Sequence, residues 1–118
     1  MKNVLGTNLK ICNLNPVTGF LRNGYCQVNA NDYGTHLVCS IVTKEFLNFT
    51  LSKGNDLITP RNGFPGLKPG DKWCLCVFRW LEAYKHGAAP LIDLESTNEN
   101  VLKYIHLNIL RKYKSKIY

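Results

Sequence analysis

Two cysteines, Cys74 and Cys76, stand two positions apart in the segment Trp73-Cys74-Leu75-Cys76 and carry the most evident chemistry of the chain. If this segment is a β-strand, the two thiols share one face, and the tryptophan and leucine lie on the other. Two neighbouring thiolates are suitable ligands for a soft metal ion. The pattern therefore raises a zinc or iron site as one hypothesis.

A second pair of ligands is needed to complete such a site, and His36 and Cys39 are the candidates for it. On a strand that contains both residues, however, side chains three positions apart point to opposite faces. Zinc sites also favour cysteines separated by two residues over the single-residue spacing seen here. Our main prediction is no metal and no cofactor. The alternative zinc or iron site would use four residues: Cys39, Cys74, Cys76 and His36.

Thiol catalysis is the second hypothesis, because a cysteine becomes a nucleophile beside a histidine or at the amino end of a helix. Cys76 directly precedes a predicted helix, and Cys39 follows His36 by three residues. No nearby acidic residue is assigned as the partner of this histidine. The enzyme hypothesis therefore places Cys39, Cys74 or Cys76 in a pocket with His36 and Asp71.

All five cysteines of the chain are predicted to be reduced and packed in the core. Five is an odd number, and the first residues contain no apolar run of the length typical of a signal peptide. Cytoplasmic thiols stay reduced, and reduced cysteine behaves as a small buried hydrophobe. The longest apolar runs are also far shorter than the roughly 18 residues that span a bilayer. We expect a cytoplasmic protein with no membrane association.

Short strand and helix patterns must position these residues. A strand is predicted over residues 35–42, and a helix over residues 44–53 that Thr43 caps and Gly54 ends in the left-handed conformation. A second strand over residues 73–76 leads into a helix over residues 77–86. The buried face of this second helix is predicted to comprise its large apolar residues: Phe78, Trp80, Leu81, Ala83 and Tyr84.

The last third of the chain continues with a strand over residues 91–94 and a short helix over residues 97–103, which Ser96 and Glu99 begin as a capping box. This order of elements, in a chain long enough for one core, predicts a single α+β domain over residues 1–118. Short helices are expected to pack on one face of a small mixed or antiparallel sheet.

Residues 54–71 form an unusually long loop, because glycine and proline recur throughout them, and residues 13–34 also have the composition of a loop. We interpret the protein as a small binding or interaction module for a small molecule or a protein, with the 54–71 loop as its recognition surface. Candidate ligand-binding residues supply arginine, carboxylate and aromatic groups: Asn55, Asp56, Thr59, Arg61, Asp71, Arg79 and Trp80. The alternative is an internal network in which Arg79 pairs with Asp56 or Asp71.

The formal net charge of +7 lies largely at the carboxyl end, where residues 108–118 are predicted to form a basic helix or tail. The last eight residues contain four basic side chains and no acidic one: Arg111, Lys112, Lys114 and Lys116. Clustered basic residues are typical of surfaces that bind nucleic acid. Weak nucleic-acid binding through this tail is therefore a further alternative.

Residues 63–76 are the most specific segment of the sequence, and they are accompanied by five shorter ones: residues 16–20, 34–39, 54–57, 59–60 and 79–80. In these segments the chain resembles a bacterial family known only as domain of unknown function 2237. The resemblance covers nearly the whole chain and implies a small α+β fold, with no activity established for the family. In the family's pattern a histidine follows the threonine that matches Thr97, whereas this chain has Asn98, so a role of that histidine would not extend here.

Overall fold

Three short strands form an antiparallel sheet in the computed structural model, which describes residues 1–116. Strand β1 (His36–Ile41) lies between β2 (Lys72–Cys76) and β3 (Leu91–Ile92). The four inner residues of β1 are all buried, as in a strand that is covered on both faces. The α+β fold class predicted from the sequence is confirmed, and the sheet is antiparallel.

Helix α1 (Lys44–Ser52) follows β1 after a two-residue turn. The Thr43 hydroxyl accepts a hydrogen bond from the amide of Phe46 at 3.0 Å, which satisfies one of the free N–H groups of the first turn. The chain leaves the helix through Gly54, whose φ of +87° favours glycine. The cap and the glycine terminator predicted for this helix are confirmed.

Helix α2 (Val77–Lys85) continues directly from β2 and buries one residue per turn: Val77, Trp80 and Ala83. The prediction that Phe78 is buried is wrong, because this position lies beside the buried stripe and its side chain is 55% exposed. It instead packs edge-on against Tyr104 at 5.4 Å. Trp80 is fully buried, and its indole N–H donates to the carbonyl of Pro90.

Two 3₁₀ helices, Leu94–Ser96 and Glu99–Lys103, and helix α3 (Leu107–Lys112) complete the fold. The capping box predicted at Ser96 does not form. Asn98 caps the second 3₁₀ helix instead, with its side-chain oxygen accepting from the amide of Asn100. None of the helices in the described part of the chain has the length and apolar sequence needed to cross a bilayer.

After α3 the chain runs alongside β3, where Ile92 donates its amide to the carbonyl of Tyr113 and accepts from the amide of Ser115. The basic segment is therefore helical only to Lys112, and its next residues pack against the sheet. Residues 117 and 118 of the predicted basic helix or tail lie outside the described residues.

The prediction that the cysteines are reduced is wrong for four of the five. Cys12 is bonded to Cys39, and Cys26 is bonded to Cys74, while Cys76 is free. Cys39 and Cys74 are directly opposed on β1 and β2, and each receives a cysteine from the amino-terminal loop segment. The sequence did not indicate this arrangement, because Cys12 and Cys26 lie in a segment with no regular secondary structure to predict their position.

Candidate functional site

The candidate site is a cleft along the outer edge of β2, between the loop of residues 13–34 and the loop of residues 54–71. It consists of two adjoining cavities of about 530 and 240 Å³. Three residues line both cavities and join them: His36, Leu57 and Trp73.

The amino-terminal loop is fixed to the edge of β2 by polar contacts as well as by the Cys26–Cys74 disulfide. The Asn13 amide donates to the carbonyl of Lys72 at 3.0 Å, and the Thr18 hydroxyl accepts from the amide of Cys74 at 2.8 Å. Backbone groups that an edge strand would expose are thereby satisfied. This wall of the cleft is consequently anchored at several points.

A row of cationic and aromatic side chains, each in contact with the next, lines the larger cavity. The Arg22 guanidinium lies 4.9 Å from the centre of the Trp73 ring, and Phe64 meets the same ring edge-on at 5.3 Å. The Arg61 guanidinium lies 5.1 Å from the centre of the Phe64 ring. We call these four residues, Arg22, Trp73, Phe64 and Arg61, the arginine–aromatic stack.

Tight turns place the outer members of this stack. Arg22 has a positive φ of +54° and donates from its guanidinium to the carbonyl of Gly19 at 2.7 Å. Gly19 itself has a φ of +95°, and a Cβ there would lie 2.3 Å from the carbonyl oxygen of Tyr25, so the turn requires glycine. In the second loop Arg61 and Phe64 exchange two backbone hydrogen bonds of 2.8 Å, which sets their side chains side by side.

The cleft carries an excess of positive charge. Within residues 1–116, no acidic residue lines either cavity, and Arg22 has no carboxylate within ion-pair distance. Arg61 is 3.9 Å from the Asp56 carboxylate, and Arg79, which lines the smaller cavity, is 3.3 Å from Glu82. The guanidinium groups are thus only partly compensated by nearby acids.

A histidine and a free cysteine both line the smaller cavity. His36 Nδ1 lies 2.7 Å from Asp32 Oδ1, and the side chain of this aspartate is 2% exposed. The same carboxylate accepts the amides of Gly34 at 3.1 Å and His36 at 2.9 Å. Cys76 is the residue paired with His36 across the two strands, and both line the cavity.

The ligand-binding residues predicted from the sequence lie in several different parts of the structure. Arg61 lines the larger cavity, and Asn55 and Arg79 line the smaller one. Thr59 is exposed, and Trp80 lies in the core, away from both cavities.

Two predicted site residues, Asp56 and Asp71, stabilise the 54–71 loop. Asp56 accepts the amides of Ile58 and Thr59, and Asp71 accepts the amide of Lys68 at 2.8 Å. Hydrogen bonds from the side chain and amide of Thr59, together with the amide of Ile58, lower the pKa of the Asp56 carboxyl below its ordinary value. The pairs that we considered between Arg79 and these carboxylates are not formed, since Arg79 contacts Glu82 and the carbonyl of Lys53.

The sulfur atoms of Cys12, Cys26 and Cys39 lie within 4.8 Å of one another, and all three residues are buried. A metal ion binds cysteine as the thiolate. In their disulfides Cys39 and Cys74 present no thiolate, so of the metal-site candidates only Cys76 and His36 keep a free ligand atom.

Sequence reasoning missed three residues of the cleft, Phe20, Arg22 and Phe64, and also missed Asp32, which does not line the cleft but contacts His36. Three of these four lie in the 13–34 loop, whose course depends on disulfides that the sequence did not indicate. One signal for Asp32 was present: it precedes His36 by four residues with Gly34 between them, a spacing that allows a turn to bring the two side chains together.

A family model described as "Uncharacterized protein conserved in bacteria (DUF2237)" matches residues 2–114. The match spans nearly the whole chain and confirms the resemblance inferred from the sequence. No curated protein matches the chain.

Proposed function

The chain belongs to the DUF2237 family of uncharacterised bacterial proteins, and from the geometry of its cleft we propose that it is a small binding module for organic anions. The observation that carries the proposal is the arginine–aromatic stack, in which two guanidinium groups flank two aromatic rings on the wall of one cavity. Both loops contribute to it, so the proposed recognition surface extends beyond the 54–71 loop.

Guanidinium groups favour carboxylate and phosphate ligands because their planar N–H groups match the oxygen pairs of these anions. Arg22 is the strongest candidate for this contact, since no carboxylate in the described chain competes for it. Its contact with Gly19 uses one terminal nitrogen, which leaves further N–H groups for a ligand.

The aromatic residues favour a ligand that also has a flat or apolar part. The larger cavity combines Phe20, Phe64 and Trp73 with two arginines, and its volume of about 530 Å³ is in the range of small-ligand pockets. Carboxylates and phosphates share the charge that the arginines recognise, and the ring faces would hold the body of either. We therefore assign the ligand class as small organic anions with an aromatic or otherwise planar body.

Isothermal titration calorimetry with three probes of similar shape tests the proposal: benzoate, phenyl phosphate and benzylamine. We expect the wild-type protein to bind at least one of the two anions and to bind benzylamine at least tenfold more weakly. Loss of one charge-assisted hydrogen bond costs about 1.5–3 kcal/mol, so Arg22→Gln should weaken anion binding by roughly tenfold or more.

Arg111→Gln is the matched control, because it removes the same charge from an exposed position on α3, outside the cleft. It should leave the anion affinity within twofold of the wild-type value. Equal affinity for benzylamine and the anions, or equal losses in the two variants, would contradict a specific anion site in the cleft.

A further inference from the structure

We propose that Cys76, His36 and Asp32 form a thiol–imidazole–carboxylate group in which Cys76 is a nucleophile toward the acyl carbon of an ester or thioester. The inference stands on the smaller cavity and does not rest on anion binding in the larger one. It assigns a reaction to Cys76, which forms no disulfide and is only partly buried.

A break in strand register sets His36 opposite Cys76. Val38 pairs with Leu75, and regular continuation of that register would place Leu37 opposite Cys76. The irregularity between His36 and Val38 brings the histidine to that position instead. Directly opposed residues of an antiparallel pair have Cβ atoms about 4.5–5.5 Å apart, which allows an imidazole and a thiol to meet.

The hydrogen bond to Asp32 orients the imidazole for this role. Nδ1 of His36 lies 2.7 Å from the buried carboxylate, which favours the proton on this nitrogen and leaves Nε2 as the basic atom of the ring. The carboxylate is itself fixed by the amides of Gly34 and His36. Asp32 is therefore a positioning residue that acts through the histidine.

Gly34 packs closely against the imidazole ring of His36. A Cβ at this position would lie 2.4 Å from Cε1 of His36 and 3.0 Å from both ring nitrogens. The backbone of Gly34 is outside the left-handed region that favours glycine, and the three atoms nearest to an added Cβ all belong to the imidazole. Substitution of this glycine is thus a way to displace the ring without altering any titratable group.

Cys76 is the one free thiol among the five cysteines, all of which belong to the described part of the chain. It is partly exposed and immediately precedes the nine-residue helix α2, whose first turn has no side-chain cap. The amide groups at this end of a helix favour a negative charge nearby. The sulfur thus lies at the start of α2 and on the wall of a cavity that a substrate can enter.

The reaction balances without a further cofactor. The Cys76 thiol gives its proton to Nε2 of His36, and the thiolate forms a bond to the acyl carbon. The bond from that carbon to the leaving oxygen or sulfur breaks, and the leaving group takes the proton from the imidazolium. Water then attacks the S-acyl cysteine, its proton passes to His36 and on to the Cys76 sulfur, and a carboxylic acid is released.

Alkylation by iodoacetamide, a neutral reagent, measures the nucleophile separately from anion binding. At neutral pH the wild-type protein should be modified only at Cys76, at least tenfold faster than free glutathione. His36→Ala and Gly34→Ala should each lower that rate at least tenfold. Added imidazole should restore a substantial part of the rate in His36→Ala, which loss of a merely structural histidine would not allow.

His106→Asn is the matched control, since this exposed histidine makes no side-chain capping contact, and its alkylation rate should equal that of the wild type. Unchanged alkylation in His36→Ala, or loss of rate that imidazole does not restore in a variant whose circular dichroism shows a folded chain, would overturn the proposal.

The acyl step is tested with p-nitrophenyl acetate. We expect rapid release of p-nitrophenol and an acetyl group that mass spectrometry locates on Cys76, and we expect Cys76→Ser to lose both. Acetylation at other residues only, or equal p-nitrophenol release from the serine variant, would contradict the assignment. Failure of the calorimetric anion test together with success here would reject the anion module while leaving the nucleophile.

Discussion

Lys72 and Asp93 form the most buried ion pair among residues 1–116, with an Nζ–Oδ2 distance of 2.6 Å and side chains 14% and 7% exposed. The same carboxylate oxygen accepts the hydroxyl of Ser96 at 3.0 Å. The pair connects the outer strand β2 with the chain that follows β3. Since β2 carries one wall of the cleft, the pair contributes to the geometry of the site.

Removal of this carboxylate in Asp93→Ala should lower the free energy of unfolding by about 2–3 kcal/mol, because it removes one partner of a largely buried ion pair and the acceptor of the Ser96 hydroxyl. Urea denaturation followed by circular dichroism measures the change.

The control for that variant is Glu95→Ala, which breaks the exposed Lys10–Glu95 pair at the same 2.6 Å distance. An exposed pair contributes only about 0–1 kcal/mol. Equal effects of the two substitutions would show that the buried Lys72–Asp93 pair contributes no more to the stability of the protein than an exposed pair does.

Single residues also mark the limit of what the sequence predicts. Arg61 and Arg79 could be identified because they belong to segments rich in turn residues and helix signals. Arg22 could not be identified, because its position depends on the turn at Gly19 and on the disulfide between Cys26 and Cys74, which lie 48 positions apart in the sequence. Side chains brought together by distant covalent links leave no local pattern.

At the scale of elements, local signals were sufficient for the helices and strands. Helix α1 has a capping threonine before it and a glycine after it, and β1, β2 and α2 follow from the spacing of their apolar residues. A short helix was predicted over residues 97–103, and the structure has the 3₁₀ helix Glu99–Lys103 there. The 3₁₀ helix Leu94–Ser96 was not predicted, since Ser96 and Glu99 have the spacing of a capping box that would begin a helix after Ser96.

The cap of α1 gives a direct prediction. Thr43→Ala removes the hydroxyl that accepts the Phe46 amide, and this should lower the free energy of unfolding by about 1 kcal/mol. Thr43→Ser keeps an acceptor at the same position and should cost less than half as much. The measurement is urea denaturation of the three proteins, and equal stability of the alanine and serine variants would contradict the capping role.

At the scale of the whole molecule, the two disulfides replace secondary structure as the support of the amino-terminal third. Residues 1–34 contain no helix and no paired strand beyond isolated bridges. Their cross-links to β1 and β2 close loops with sequence separations of 27 and 48 residues. The prediction of reduced cysteines followed from their odd number and from the expected compartment, and neither indicates which cysteines lie close together.

Each cross-link should stabilise the fold by about 3–4 kcal/mol on the loop-entropy estimate. The Cys26→Ser/Cys74→Ser double variant should therefore unfold at a clearly lower urea concentration than the wild type. It should also bind phenyl phosphate more weakly, because the loop that carries Arg22 loses its covalent attachment to β2. Wild-type stability in this variant would show that the packed loop needs no cross-link.

Binding of an organic anion to the arginine–aromatic stack can be followed through the indole N–H signals of the two tryptophans. Trp73 belongs to the stack, whereas Trp80 is buried and donates to Pro90, so it serves as an internal reference. In ¹H–¹⁵N spectra titrated with phenyl phosphate, we predict saturable shifts of the Trp73 indole and of the Arg22 and Arg61 side-chain signals, with the Trp80 indole unchanged. Absence of shifts in the stack, or shifts confined to the basic residues of α3, would contradict anion binding at this site.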